Sequence, residues 1–540
     1  MSYDFPGAGY ALDRIKRFLA PPVTFTKPPE GVRFLKDQEL NVRDGTVLRC
    51  NLFLPEGDGP WPAIVCAHPY GKDNLPIGKI PFTYRVMRQS GAFSVSQWTS
   101  WEGPDPGYWV PRGYALVNCD LRGFFRSEGE GDLFSDQEAQ DYYDLIEWVA
   151  GQPWCTGKVA TNGVSYLCLS QWKMAALRPP HLAAMVAWEG FSDLYRDLVR
   201  PGGVREDGFT IIWSFAVRRQ PRCRTRLREE QTRRDLRDEW YRALTPNLGQ
   251  IVTPALICGS FSDHNLHTRG SFRAFDRIAS EQKWLYTHRG GKWAEYYSPA
   301  GLAAQTEFLD HFLKDGPPPK LPRVRLEVRD TGDTVHDVRA ETAWPLDSTR
   351  WTKLYLHADK TLQLTPGSGS PSFQSRGGRL SFSWKIEREI ELTGPMKLLV
   401  ELEAAAPDVH LFAAVRKLRG GQEVTFEGSY GFNRGPVTIG MLRASHRQLE
   451  ESRPWEPVHS HTELKPLSPG QKVTLELQLL PSATVFFPGD VLRLDLQGTW
   501  FFMRNPILGA FPAGYQPGPP GRVTLHLGEA HLMVPVTRES

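Results

Sequence analysis

The sequence predicts an α/β fold with a parallel sheet, interrupted by a helical insertion and followed by an all-β jelly roll. Three observations carry that reading. Between Pro62 and Glu189, continuous apolar runs alternate with a clear amphipathic helix, the pattern of strands covered on both faces by crossover helices. From Phe191 to Gln250 charges become dense (RRQPRCRTRLREEQTRRDLRDEW), and helical periodicity replaces strand runs. After the stiff segment Gly316-Pro-Pro-Pro-Lys-Leu-Pro322, short alternating runs recur between Gly, Pro and Ser turns.

In chain order, a short lead precedes two strands within Val32 to Leu54, joined at Arg43-Asp44-Gly45-Thr46, where Asp-Gly is a hairpin signal. Pro62 to Ala67 is a buried strand ending at the turn His68-Pro69-Tyr70-Gly71. Residues 75–109 are irregular and rich in aromatics, fitting either a covering loop or an apolar wall for substrate. Gly113 to Asp120 is the next strand, Gln137 to Ala150 an amphipathic helix, and Leu182 to Glu189 a further strand. Val252 to Ser260 and Lys283 to Thr287 return to the sheet, with helices over Ser271 to Ile278 and Gln305 to Leu313. The expected limits are 1–190 and 251–315 for the two parts of the α/β domain, 191–250 for the helical cap, 316–322 for the linker and 323–540 for the jelly roll.

Composition narrows the function. The chain has 540 residues, more than one core usually supports. Its 64 basic and 61 acidic residues leave a net charge of +3, too balanced to imply nucleic acid or an anionic membrane as partner. Interleaved Glu and Asp make the Arg-rich stretch a solvated helical face. No apolar run approaches a membrane span, and the start, MSYDFPGAGYALDRIKRF, lacks the features of a signal peptide. Seven cysteines, an odd number, show no CxxC or zinc spacing. A reducing cytoplasm, no metal and no cofactor are the expectations. The jelly roll leaves a homodimer open.

The stretch with chemistry in it is VATNGVSYLCLSQW, Val159 to Trp172. A strand there runs into a helix at Gly163-Val164-Ser165-Tyr166. A serine at such a corner is lifted to the top of the sheet, with the following helix N-terminus facing it. The usual Gly-x-Ser-x-Gly elbow is incomplete, since Leu167 holds the second glycine's place. A serine nucleophile needs a base, and that imidazole needs a carboxylate to fix its tautomer. In α/β-hydrolase folds the order is nucleophile, acid, histidine, on loops after successive strands. Asp263 and His288 follow the strands ending near Ser260 and Thr287 and satisfy that order. Asp276 sits in a helical pattern, Asp120 precedes the nucleophile, and His264 and His267 come before the last strand. The oxyanion donors expected are the Tyr166 N–H and the Tyr70 hydroxyl. Phe93, Trp98, Trp101 and Trp188 are the expected aromatic substrate contacts.

Four blocks carry a resemblance: HPYGK (68–72), RGYALVNCDLRGFFRSEGE (112–130), QPWCTGKVATNGVSYLCLSQW (152–172) and PALICGSFSDHNLHTRGSFRAF (254–275). In these, and in their spacing, the sequence resembles the cocaine esterase and X-prolyl dipeptidyl peptidase family of serine hydrolases. The resemblance implies an α/β-hydrolase domain with an inserted helical cap, a C-terminal jelly roll and hydrolysis of an ester or amide through an acyl-enzyme. It also implies Ser165 as nucleophile, Asp263 as acid, His288 as base, and Tyr70 and Tyr166 as the oxyanion hole. The family's serine lies in Gly-x-Ser-Tyr-x-Gly. Here Cys168 replaces the last glycine, which would hold helix and strand slightly apart. The wording around His288 also departs from the family's Gly-Pro-Trp-x-His.

Three readings of function remain on the sequence. One is a cofactor-free serine hydrolase acting on a small ester or amide. The second is an X-Pro dipeptidyl peptidase, or a β-lactam acylase or amino-ester hydrolase. A peptidase of this kind needs a carboxylate for the substrate's amino group, which Glu189, Asp193 or Asp197 would supply. The third is a non-catalytic carbohydrate or polymer binder using Trp455, Trp500, Phe501 and Phe502.

Overall fold

A computed structural model describes residues 3–539. The chain opens with helix α1 (Ala8–Leu19) and strand β1 (Val23–Thr26), then the hairpin β2 (Val32–Asn41) and β3 (Val47–Pro55). The lead therefore contains a helix, and its ties are tertiary: the Tyr10 hydroxyl donates to the carbonyl of Gly509 at 2.9 Å, near the other end of the chain.

Strands β4 (Trp61–His68), β5 (Phe93–Ser96), β6 (Ala115–Asp120), β7 (Cys155–Val164), β8 (Leu182–Trp188), β9 (Ala255–Ser260) and β10 (Lys283–His288) follow. After the linker come β11 (Val324–Arg329) and β12 (Val335–Glu341). Seven of these pair in parallel in the order β6-β4-β7-β8-β9-β10-β11. Antiparallel β3 and β2 extend one edge and β12 the other. The register puts Val65 beside Val117 on one side and Thr161 on the other. Every residue of β6 and β9 is buried, which is why these runs lack the alternation of a half-exposed strand. β11, expected as the first strand of the sandwich, instead adds to the central sheet, Leu285 facing Val324.

Helices α2 (Phe82–Met87), α3 (Pro106–Trp109), α4 (Asp136–Ala150) and α5 (Tyr166–Ala175) precede β8. Ser135 caps α4, accepting from the Glu138 N–H at 3.2 Å, while Glu138 accepts from the Phe134 N–H at 2.8 Å, a displaced capping box. Between β8 and β9 the chain forms only helical pieces, chiefly α6 (Phe209–Val217), α7 (Leu227–Arg233) and α8 (Glu239–Ala243). Helices α9 (Thr268–Arg277), α10 (Lys292–Tyr296) and α11 (Pro299–Lys314) complete this half. Ser298 caps α11 and Asp315 ends it in a left-handed conformation just before the Pro-rich linker.

The rest is a β-sandwich. Ile390–Ala404 pairs antiparallel with both Val473–Phe486 and Arg522–Glu539, and Leu398, Val400, Leu477, Leu494 and Leu532 lie in its core. Trp500, Phe501 and Phe502 are buried with Phe412, Phe432 and Tyr515. Trp455 stacks on Trp351 at 5.2 Å. The aromatics considered for carbohydrate contact are thus engaged in packing. One turn of this half, Ser429–Gly431, reaches into the α/β half.

Candidate active site

Ser165 sits at the corner between β7 and α5 with φ 58 and ψ −116, a strained conformation for a residue with a Cβ. Its environment enforces that conformation. The Ser165 N–H donates to Trp188 O at 3.1 Å, and the Val164 N–H to Glu102 O at 3.2 Å. A Cβ on Gly163 would lie 2.3 Å from the Leu167 Cβ, so only glycine lets helix and strand cross this closely. Cys168, where the family motif has glycine, packs its sulfur against Gly190: a Cβ there would sit 2.4 Å from the Cys168 Sγ. The glycine just after β8 leaves room for the Cys168 sulfur beside the sheet.

Ser165 Oγ lies 3.3 Å from His267 Nε2, and His267 Nδ1 lies 2.6 Å from Asp263 Oδ2. Asp263 follows β9, and its carbonyl accepts from the N–H groups of Leu266, His267 and Thr268, so Asp263 to His267 already forms a helical turn leading into α9. A separation of four residues on such a turn puts both side chains on one face. Lys292, at the start of α10, places its ammonium 2.7 Å from the same Asp263 oxygen and 2.9 Å from His267 Nδ1. The other Asp263 oxygen accepts from the Ser429 hydroxyl.

All three side chains are at least nine-tenths buried. Burial works to raise the pKa of Asp263, but the Lys292 ammonium and His267 outweigh it and hold the carboxyl well below the usual range. For His267, burial and then Lys292 lower the pKa below its ordinary value of 6.5, leaving a neutral imidazole at neutral pH. Glu102, which accepts from Trp293 Nε1 at 3.1 Å, is pushed by burial up to about 8.

The position of His288 corrects the expectation that it serves Ser165. It ends β10 with no solvent exposure, its Nδ1 accepts from the Gly290 N–H at 3.1 Å, and its Nε2 faces Glu189 Oε1 at 2.9 Å. With Nδ1 accepting, the proton is on Nε2 and is donated to Glu189, so neither nitrogen offers a free lone pair. The same tautomer bears on the metal-like grouping of Glu189, Cys258 and His288, whose ligand atoms lie within 4.8 Å of one another. The imidazole nitrogen facing that group carries a proton rather than a lone pair. The four-residue spacing of Asp263 and His267 is the signal the sequence holds for this pair; strand order alone passes over it, because His267 precedes β10.

Tyr70 and Tyr166 both line the cavity at Ser165, their rings 6.2 Å apart. Tyr166 is the first residue of α5, so its N–H has no partner within the helix. The loop carrying Tyr70 is held by the Tyr70 N–H on His68 Nδ1 at 3.2 Å and the Lys72 N–H on Asp120 at 2.7 Å. The cavity is walled by Phe134, Leu169, Phe191, Leu198, Phe209, Trp213 and Leu266.

The four aromatics expected to touch substrate are elsewhere. Trp98 packs on Phe34 and Phe53, Trp101 on Tyr84 and Trp293, Phe93 on Tyr297, and Trp188 on Tyr286 and Tyr296. They fill the core on one side of the sheet, because segment 75–109 covers that face rather than the strand ends. The cavity wall comes chiefly from the insertion after β8, with Phe134 before α4, Leu169 of α5 and Leu266 after β9.

Comparison with known proteins agrees with this architecture. Residues 44–292 match the model of the X-Pro dipeptidyl-peptidase (S15) family, and residues 319–532 that of the X-Pro dipeptidyl-peptidase C-terminal non-catalytic domain. A CocE/NonD family hydrolase of Staphylococcus aureus of known structure is 33% identical, with a TM-score of 0.89, over 96% of this chain and all of that one. Cocaine esterase of Rhodococcus sp. (strain MB1 Bresler) is 27% identical over 404 residues, 63% of this chain and 64% of the esterase. The chain thus spans less than two thirds of the curated relatives it matches. An α-amino acid ester hydrolase structure, 16% identical with a TM-score of 0.72, shares the fold. From the elbow at Ser165 to the C-terminal β domain, and by likeness over nearly its whole length, the chain belongs to the CocE/NonD family of α/β-fold hydrolases.

Proposed function

We propose that this protein is a serine esterase that cleaves esters of small, uncharged, apolar acids through an acyl-enzyme on Ser165, with His267 as the base and Asp263 as its orienting carboxylate. One observation carries the reading: the Ser165–His267–Asp263 chain of contacts opens into a cavity whose other walls are apolar and aromatic. His267 Nε2 takes the Ser165 proton as Oγ attacks the ester carbonyl. The Tyr166 N–H and the Tyr70 hydroxyl donate to the oxyanion, and His267 then returns the proton to the departing alkoxide. Water repeats the sequence on the acyl-enzyme and releases the acid.

The peptidase reading fares worse because its amine anchors are engaged or lie off the cavity. Glu189 binds His288 through Oε1, and although its Oε2 has no partner, the side chain is fully buried and does not line the cavity. Asp193 accepts from the Tyr195 and Arg196 N–H groups and pairs with Arg196 and Arg237. Asp197 accepts from the Ser192 and Asp193 N–H groups and pairs with Arg273. Glu138 is held by the Tyr166 hydroxyl and the Phe134 N–H. A free amino group entering the cavity would meet no available carboxylate among these, and stripping its water uncompensated is costly.

The test compares p-nitrophenyl butyrate with Gly-Pro-p-nitroanilide, for the wild type and Ser165→Ala, alongside fluorophosphonate labelling. Ester turnover and a single adduct on Ser165, both lost in the variant, are the expected result. Cleavage of Gly-Pro-anilide that stops when its amino group is acetylated would overturn it in favour of the peptidase. No helix among the described residues is long and apolar enough to cross a membrane. All seven cysteines are buried and unpaired, which supports a reducing, cytoplasmic setting.

A further inference from the structure

We propose that Ser429, contributed by the C-terminal β domain, is a positioning residue of the hydrolytic site: its hydroxyl holds one oxygen of Asp263 so that the other stays on His267. The proposal rests on the reading of Ser165, His267 and Asp263 given above.

The two carboxylate oxygens of Asp263 have separate partners. Oδ2 faces His267 Nδ1 at 2.6 Å and the Lys292 ammonium at 2.7 Å, while Oδ1 accepts from Ser429 Oγ. The terminal torsion of an Asp side chain is soft and roughly two-fold, so a carboxylate pinned at one oxygen can pivot. Pinned at both, it fixes the plane in which His267 must lie, and with it the Nε2 lone pair directed at Ser165.

The turn carrying Ser429 is built for this placement at a local cost. Tyr430 has φ 56 and ψ 43, left-handed values uncommon for a residue with a Cβ. Such conformations persist where surrounding structure over-determines them. Here the surroundings belong to other parts of the chain. The buried Arg14 of α1 donates to Tyr430 O at 2.6 Å. Gly431 lies against the Arg88 carbonyl, which a Cβ would approach to 2.2 Å. The Tyr430 ring stacks on Phe209 of the cap at 5.6 Å, with the Lys292 ammonium 5.3 Å from its centre. The orienting carboxylate is complete only when helix α1, the cap and the β domain are all docked.

The test measures kcat, KM and the pH profile of kcat/KM on p-nitrophenyl butyrate for Ser429→Ala, Ser429→Thr, Ser429→Val and His267→Ala, with thermal melts as a folding control. Losing a hydrogen bond to a charged group should cost roughly ten- to a hundredfold in kcat, with KM within about twofold. The titratable groups acting on Asp263 and His267 are Lys292, Glu189, His264, Glu102, Tyr430 and Tyr515, and Ser429→Ala alters none of them. An Asp263 free to pivot off Nδ1 stabilises the imidazolium less, so the acid limb of the profile should move to lower pH. A role in packing alone would not move that limb. Thr keeps a hydroxyl and should restore most activity, whereas the isosteric Val should not; this pair isolates the hydroxyl even where Ala does not fold. Wild-type kcat and an unmoved acid limb in folded Ser429→Ala, or equal activity of the Thr and Val variants, would overturn the proposal. Activity in His267→Ala would instead sink the reading of the site itself, whatever Ser429 does.

Discussion

His267 follows Asp263 by one helical turn, and its Nδ1 lies 2.6 Å from the Asp263 carboxylate. Asp263 and His267 thus come from a single connection between β9 and α9, instead of from two loops after two strands. The second histidine, His288, is closed off against Glu189 in the floor beneath. One connection then sets the geometry of the Ser165–His267–Asp263 contacts, while β10 carries a histidine that does not join them.

The two histidines are separable by experiment. His267→Ala should lower kcat by about three orders of magnitude or more while the protein melts near the wild type. His288→Ala removes the partner of a fully buried carboxylate and should cost about 3–5 kcal/mol of stability. In His288→Gln, which keeps a donor toward Glu189, turnover should stay within about tenfold of wild type. Steady-state kinetics and denaturant unfolding on the three variants check this. Loss of all turnover in folded His288→Gln would return the base to that position.

The pH profile follows from the charges around His267. The imidazole must be neutral to accept the Ser165 proton, so kcat/KM rises with pH through its free-enzyme pKa. Burial first, and then the Lys292 ammonium, lower that pKa below 6.5. The acid limb should therefore fall below pH 6.5, with full activity already reached near neutrality. Lys292→Met removes a cation that opposes the imidazolium, so the limb should shift upward and activity at pH 6 should drop. A limb that stays in place would mean Lys292 does not act on the base.

Tyr70→Phe tests the oxyanion hole. Removing one donor typically costs a hundred- to a thousandfold in kcat, with little change in KM. A loss of that size, in protein that still labels at Ser165 with fluorophosphonate, is the expected outcome. Wild-type kcat would leave the Tyr166 N–H without this partner.

Trp213 of α6 and Phe209, four residues before it, form the cap side of the cavity. Trp213→Ala should shift preference among p-nitrophenyl esters from acetate or butyrate toward hexanoate or octanoate, read as a change of about tenfold in the ratio of kcat/KM values. An unchanged ratio would mean the acyl chain does not enter this cavity.

How much of this was legible in the sequence can be judged residue by residue. The elbow at Ser165, the order of the strands, the helical insertion after β8 and the β-rich C-terminal half all follow from local periodicity and turn chemistry, which the sequence states directly. Asp263 was also accessible, since an acid after a sheet strand needs only the strand to be recognised. His267 and His288 are both histidines near strand ends, and strand order favours His288, which faces Glu189, over His267, which faces Ser165. What separates them is the rotation of each side chain toward Ser165 or toward Glu189, a three-dimensional property. Phe93, Trp98 and Trp101 fail for a related reason: aromatic content marks a segment as apolar but does not say which face of the sheet it covers. Ser429 and Arg14 lie hundreds of residues from Asp263 in the chain, and nothing local marks either as part of a site.

Cys168 and Gly190 give the last prediction, because they share one volume. The Cys168 sulfur occupies the space a Cβ on Gly190 would need, at 2.4 Å. Gly190→Ala should therefore destabilise the protein by about 1–3 kcal/mol, the usual cost of overpacking, and disturb the Ser165 elbow through α5. Cys168→Gly restores the family's motif glycine, opening that space at some cost in helix propensity and buried sulfur. Combined, the two substitutions should be less damaging than the sum of the single changes, a coupling of about 1 kcal/mol or more between residues in contact. Denaturant unfolding of the four proteins measures it. Strict additivity would mean the strand end can shift to admit a methyl group, and the exchange of glycine between helix and strand would then be incidental to the packing at the elbow.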